Sequence, residues 1–320
     1  LDGKTIDSFL RLPISAPPKD PFFSMCGDLD YLMIDESSMI RKSIFYNLCH
    51  IKRLYPKLAI ILIGDHQQLD PVENRGSIYK KMTHTTNMAK FITDYNSLHL
   101  TKNMRSSTEG KEMFSLYNDI IKGKNFRKNP TFNDMVGQTL VLVTKPESLL
   151  FVSKTHLCWT NDTRNLINKS FVKLAIKNKH NLTIRDEKSK RIKTIWIKMK
   201  VIAYPLMTDK KKAEKEYYNN QEFIVKKLNT TTDRYITLEC VLTNKEIIIT
   251  KDQLNDFDYG YCITVHKSQG SSIDERYFLW ETDCMPNKEL VYVGISRTTS
   301  KKNCLIGSRI HLNWLKSYLH

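Results

Sequence analysis

The sequence has no complete phosphate cradle. A loop of the form Gly-x-x-x-x-Gly-Lys-Ser/Thr wraps a nucleotide β-phosphate with its backbone N–H groups, and it needs a glycine five residues before the Gly-Lys pair. Gly3-Lys4-Thr5 supplies only the end of that pattern, and Pro13, Pro17 and Pro18 would interrupt the long helix that should follow. No run of eighteen apolar residues is present and no apolar leader with a cleavage site, so neither membrane insertion nor secretion is supported. The seven cysteines are widely separated, with no Cys-x-x-Cys pair and no histidine spacing suited to zinc. Their odd number argues against a disulfide framework, and the expected setting is an intracellular, reducing compartment. There is no internal repeat and no long low-complexity tract.

Positive charge, by contrast, is plentiful. Fifty Lys and Arg face 34 Asp and Glu, and the net charge of +16 produces a field that attracts polyanions. On its own this is compatible with a merely lysine-rich surface. At 320 residues and 41% hydrophobic content the chain can bury more than one core, so two or three domains are expected.

Two apolar runs of strand length end in polar residues suited to phosphate chemistry. Tyr31 to Ile34 fits a strand buried on both faces of a parallel sheet, and it is followed by Asp35-Glu36. In open α/β sheets ligands lie beyond the carboxyl ends of the strands, where one carboxylate can hold Mg²⁺ and its neighbour can orient and deprotonate a water. The alternative is a strand-to-helix turn with Asp35 as N-cap, since a helical pattern runs from about Met39 to Leu54. Leu58 to Ile63 is the second run. It ends in Gly64-Asp65, with Gln68 offering an uncharged amide to a phosphate oxygen or to water.

These residues resemble motifs II and III of superfamily 1 helicases of the RecD/Dda type, and further segments line up in order. Leu98 to Arg105 resembles motif IV, Leu157-Cys158-Trp159-Thr160-Asn161 with Arg164 and Asn168 resembles the start of a second RecA-like domain, and Tyr218 to Gln221 resembles a turn in its small β-barrel. Thr264 to Gly270 resembles motif V, and Val291 to Thr298 resembles motif VI. Gly3 to Leu10 is similar to a DNA-contacting segment upstream of motif II, with Asp7 where the family has histidine. Starting at Leu1, the chain is expected to be part of a longer protein whose phosphate loop lies upstream, and to hydrolyse ATP poorly by itself.

The resemblance implies an α/β fold of two RecA-like parallel-sheet domains, the first incomplete, with a small β-barrel inserted in the second. The expected bounds are 1–104 for the first domain, with a pin insertion in 12–28, then 105–184 and 256–320 for the second and 185–255 for the barrel. It also implies ATP with Mg²⁺ as cofactors and single-stranded DNA as partner, RNA remaining open, moved 5′→3′ by a monomer. Within that picture Glu36, Gln68, Arg105 and Arg297 are catalytic. Asp35 binds the metal, and Gly64, Asp65, Gln269 and Gly270 line the nucleotide. Thr5, Ser8, Phe22, Phe23, Asn161, Thr264, His266 and Lys267 face the nucleic acid. Phe22-Phe23 reads equally as a hydrophobic anchor, His266-Lys267 as surface decoration, and Arg297 as a structural ion pair. A non-hydrolysing single-strand clamp is the rival from another class.

Overall fold

The computed structural model describes residues 6–9, 26–65, 68–69, 84–100, 110–177, 181–185, 192–204, 217–229 and 236–319. Thr5, Phe22, Phe23 and Arg105, and nearly all of the expected pin, lie outside them. The chain divides into two compact units, Leu1–Met104 and Arg105–His320.

In the first unit a short helix α1 (Ile6–Phe9), which contains Ser8, precedes β1 (Tyr31–Ile34), α2 (Lys42–Leu54), β2 (Ala59–Leu62) and α3 (His84–Ile92). Strands β1 and β2 pair in parallel, Tyr31 opposite Ala59 and Ile34 opposite Leu62. Helix α2 buries Ile44, Phe45, Leu48 and Ile51, the i, i+4, i+7 spacing of one helical stripe, against Ile34, Ile60 and Ile92. It carries Lys52 and Arg53 in its last turn, where cations suit the carbonyl end, and Pro56 follows its end. The Lys52 ammonium is buried there and donates to the carbonyls of Pro56 (3.1 Å) and Leu58 (2.9 Å) and to Asp94 Oδ2 (2.8 Å). It therefore fastens the ends of α2 and α3 to the entrance of β2.

Burial of β1 on both faces is not observed. Tyr31 and Met33 are 64% and 66% exposed, whereas Ile34 is buried. The described sheet has two strands, and α2 and α3 pack on the face that carries Ile34 and Ile60. An alternating strand covered on one side exposes every second residue.

The second unit opens with three helices, α4 (Gly110–Ile121), α5 (Pro130–Leu142) and α6 (Pro146–Val152). Helix α5 starts on Asn129, whose side chain accepts the Thr131 N–H at 2.9 Å, with Pro130 at the first helical position. Then come β3 (His156–Cys158), α7 (Asn161–Lys177), the hairpin β4 (Asn181–Arg185) and β5 (Ile192–Trp196), β6 (Lys200–Ala203), β7 (Glu222–Leu228), β8 (Ile236–Cys240), β9 (Glu246–Ile249) and β10 (Phe257–Tyr259). The chain ends with β11 (Cys262–Thr264), β12 (Tyr277–Leu279), α8 (Lys288–Ile295), β13 (Cys304–Ile306) and α9 (Arg309–Leu319).

A parallel sheet in the order β11-β3-β12-β13 forms the centre of this unit. The second sheet is antiparallel, in the order β10-β6-β7-β8-β9. Its inward residues alternate along the strands, Ile236, Leu238 and Cys240 facing the same core as Ile247 and Ile249. Among the described residues the sheet is open, because β4 and β5 pair with each other instead of closing it, although the register shift between Val225 and Lys227 bends β7. Residues 257–259, assigned from sequence to the parallel domain, belong to the antiparallel sheet through β6. All seven cysteines are free thiols, six of them buried. No helix among the described residues is long and apolar enough to cross a membrane.

Candidate nucleotide and nucleic-acid sites

In the first unit the polar ends of β1 and β2 meet. The parallel ladder continues past both strands, with Ile63 N–H donating to Ile34 (2.8 Å) and Ser37 N–H to Ile63 (2.8 Å). Gly64 is thereby laid against the turn at Ser37-Ser38. A Cβ on it would meet Ser37 Oγ at 2.4 Å and both backbone nitrogens at 3.1 Å, so only glycine lets the two strand ends approach this closely. The Gln68 N–H closes the following turn onto the Asp65 carbonyl at 3.1 Å.

Asp35 is exposed, and its Oδ1 accepts the Glu36 N–H at 2.8 Å. It does not cap α2, whose start at Arg41-Lys42 has no side-chain cap; a short 3-10 turn, Ser37–Met39, intervenes. Glu36 adopts a left-handed backbone (φ 49, ψ 41), a conformation costly for a residue with a Cβ. One of its carboxylate oxygens, Oε2, is buried and has no hydrogen-bond partner among the described residues. No group of three or more His, Cys, Asp or Glu that could enclose a metal occurs among the described residues. Asp35 therefore offers a single hard oxygen donor set, which is what Mg²⁺ uses when phosphates and waters complete its shell.

In the second unit, three segments converge at the carboxyl end of the parallel sheet. Strand β11 leads from Thr264 into the 3-10 turn Val265–Ser268, β3 leads through Trp159-Thr160 into α7, and β12 ends before Glu281. The pairing of Thr264 with Cys158 places the turn beside the start of α7. Thr160 Oγ1 caps that helix by accepting the Thr163 N–H at 3.2 Å, leaving Asn161 exposed in the first turn. Asn168 bonds both backbone groups of Cys262, at 3.0 and 3.1 Å, and so fixes α7 to the edge strand β11. Burial lowers the affinity of His266 for a proton, so it is neutral at pH 7. Gly270 has φ 78, a turn position that suits a residue without Cβ. Asn161, Thr264, His266 and Lys267 thus lie together at one end of the sheet, with Gln269 and Gly270 following directly.

Arg297 is not presented as a free cation. It is 4% exposed, and its guanidinium donates to the carbonyls of Val293 (2.9 Å), Ser268 (3.1 Å) and Ser271 (2.9 Å) and to Ser296 Oγ (3.2 Å). The apolar run before it is the helix α8, so the arginine folds back onto its own last turn and onto the segment after Ser268. Five donors in a rigid fork suit this use as well as they suit a phosphate.

Glu281 was not anticipated. It is 8% exposed and left-handed (φ 63), and its carboxylate accepts four bonds: from the N–H groups of Trp159 (2.8 Å) and Thr160 (2.9 Å) and from the hydroxyls of Thr160 (2.7 Å) and Thr163 (2.8 Å). The signal was available, since Glu281 follows the apolar run Tyr277 to Trp280 just as Asp35-Glu36 follows Tyr31 to Ile34.

No protein-family model matches the chain. Over a 343-residue alignment it is 22% identical to the RecBCD enzyme subunit RecD of Buchnera aphidicola, an alignment that covers 91% of the chain and 56% of RecD. The chain thus spans a little over half the length of that curated relative. The crystal structure of the Pif1 helicase from Candida albicans superposes with a TM-score of 0.61 at 15% identity, covering 92% of this chain and 77% of that one. The chain shares its fold with that structure. Its mixed α/β architecture with parallel sheets matches the RecA-like domains of the Pif1 helicase. An unliganded Pif1 from a Bacteroides species aligns over 98% of the chain and 82% of its own, with a TM-score of 0.48 and 17% identity.

Proposed function

We propose that the chain is motor machinery of an ATP-dependent nucleic-acid helicase or translocase, acting on single-stranded DNA with 5′→3′ polarity. The observation that carries the reading is Glu36: a carboxylate at the end of a parallel strand, in a strained backbone, with a buried oxygen that has no partner among the described residues. Strain and an unmet hydrogen bond together are what a residue awaiting a substrate retains.

In this reading Asp35 holds Mg²⁺, and Gly64 and Asp65 border the nucleotide. Glu36 takes the proton of the attacking water, and Gln68 orients that water through its amide. When bound, Mg–ATP supplies the phosphoryl group whose transfer to water drives the cycle. Arg105, Gln269 and Gly270 are assigned to the phosphates by resemblance. Arg297 is assigned a positioning role, holding motif VI to motif V. Thr5, Ser8, Phe22, Phe23, Asn161, Thr264, His266 and Lys267 are assigned to the nucleic acid. The proposed organisation is a first RecA-like domain in 1–104, with the pin in 12–28, and a second one interrupted by the small antiparallel sheet.

A strand-displacement assay on the intact protein, with DNA and RNA duplexes bearing either a 5′ or a 3′ tail, tests this. Unwinding that requires ATP and a 5′ single-stranded DNA tail is expected. Single-strand binding with no ATP turnover and no displacement would overturn it and leave the clamp.

A further inference from the structure

The Lys267 ammonium lies 3.7 Å from the centroid of the Tyr204 ring, well inside the distance of about 6 Å over which an aromatic face holds a cation. Tyr204 directly follows β6, in the antiparallel sheet, and its backbone is held on two sides. Its N–H donates to the Asp256 carbonyl, and the preceding Ala203 exchanges bonds of 2.9 Å with Asn220 and Gln221. Burial pushes the Tyr204 phenol up to about 12, with Asp258 adding to the rise, so the ring stays neutral and its face keeps its partial negative charge. Lys267 has its proton affinity lowered by burial and by Arg164, a second cation at the start of α7, while Asp258 acts in the opposite sense. A flexible ammonium facing another cation would swing away into water unless something held it. The ring does so.

We propose that Tyr204 is a positioning residue for Lys267, holding its ammonium at the carboxyl end of the parallel sheet so that it meets a backbone phosphate of the nucleic acid without first losing side-chain freedom. The small antiparallel sheet thereby takes part in nucleic-acid binding through a residue outside the motif-like segments of the sequence. This rests on the functional reading above for the phosphate, but not for the contact between the two side chains.

Two measurements on the 320-residue chain separate those parts. Reductive ¹³C-methylation keeps the lysine charge and gives each lysine an NMR signal. The Lys267 signal, assigned by its loss in Lys267→Arg, is expected upfield of the other lysines from the ring current, retained in Tyr204→Phe and returned to the ordinary position in Tyr204→Leu. An ordinary position in the parent chain overturns the contact. Binding of a fluorescent oligothymidylate is expected to weaken about 3–10-fold in Tyr204→Leu and in Lys267→Gln, with the double variant no weaker than Lys267→Gln alone. The salt slope should fall by about one unit in Lys267→Gln. Parent-like binding by Lys267→Gln, with the shifted signal present in the parent chain, places the failure in the functional reading. Parent-like binding by Tyr204→Leu alone overturns the positioning role.

Discussion

Glu36 and Glu281 occupy the same local setting in different units. Each follows an apolar parallel strand, and each is a non-glycine residue in a left-handed backbone, with φ of 49 and 63. They differ in what their carboxylates meet. Glu281 accepts four bonds and is the anion at the start of α7, where four N–H groups of a helix lack partners. Glu36 keeps a buried oxygen that no described residue bonds. A strand ending in an acid is therefore not by itself a sign of chemistry; what separates the two acids is how fully their oxygens are hydrogen-bonded.

The comparison breaks most visibly on Glu→Gln at each position. In an ATPase-competent preparation of the protein, Glu36→Gln is expected to lower nucleic-acid-stimulated ATP hydrolysis by about 10²–10⁴-fold, the usual range for a general base, while nucleotide binding and the unfolding midpoint persist. Equal turnover in variant and parent would remove Glu36 from the mechanism. For Glu281→Gln the order reverses. Charge-assisted bonds are worth about 1.5–3 kcal/mol each, and replacing the anion is expected to cost about 3 kcal/mol in urea unfolding of the second unit. A loss under about 0.5 kcal/mol, the range of ordinary surface changes, would show that Glu281 is not the pin described.

The surroundings of Glu281 should also respond to acid. His156, fully buried between β11 and β12, accepts the Trp280 Nε1–H at Nδ1 (3.1 Å), which leaves its Nε2–H to donate to the Ser153 carbonyl (3.1 Å). Burial is the main cause that pushes its pKa from 6.5 down to about 3. The folded value lies below the unfolded one, so the contribution to stability is complete above pH 6.5 and is lost as pH falls toward 3. The loss is at most about 1.4 kcal/mol per pH unit. Urea midpoints measured across that window should fall, and the fall should flatten in His156→Gln. An unchanged slope would exclude His156 as the cause. The smallest effect sharpens the backbone side of the comparison. Glu36→Gly is expected to gain about 1 kcal/mol in stability by relieving the left-handed strain, whereas Glu281→Gly loses more through its four bonds than it gains.

Much of this site was legible in the residues because strand-length apolar runs and the polar groups that end them are local properties. β1 and β2 lie where the runs predict. What was not legible depends on neighbours. The run at Tyr31 to Ile34 says that a strand forms, but not that helices cover one face only. The run Leu290 to Ile295 suits a buried helix as well as a strand, and it is the helix geometry that turns Arg297 back toward Val293. Phe257 to Tyr259 pairs antiparallel with β6 at Val201 to Ala203, a partner more than 50 positions away that no local pattern announces. Glu281 was passed over because its donors, Trp159 to Thr163, are distant in sequence and become visible only once β3 and β12 are paired.

Arg297 joins one carbonyl of α8 to the carbonyls of Ser268, which ends the 265–268 turn, and of Ser271 beyond it, and Ile273 returns a bond of 2.7 Å to the Arg297 carbonyl. A displacement of either segment must carry the other or break several charge-assisted bonds at once. Substituting Arg297 would therefore be felt in both segments, not in α8 alone.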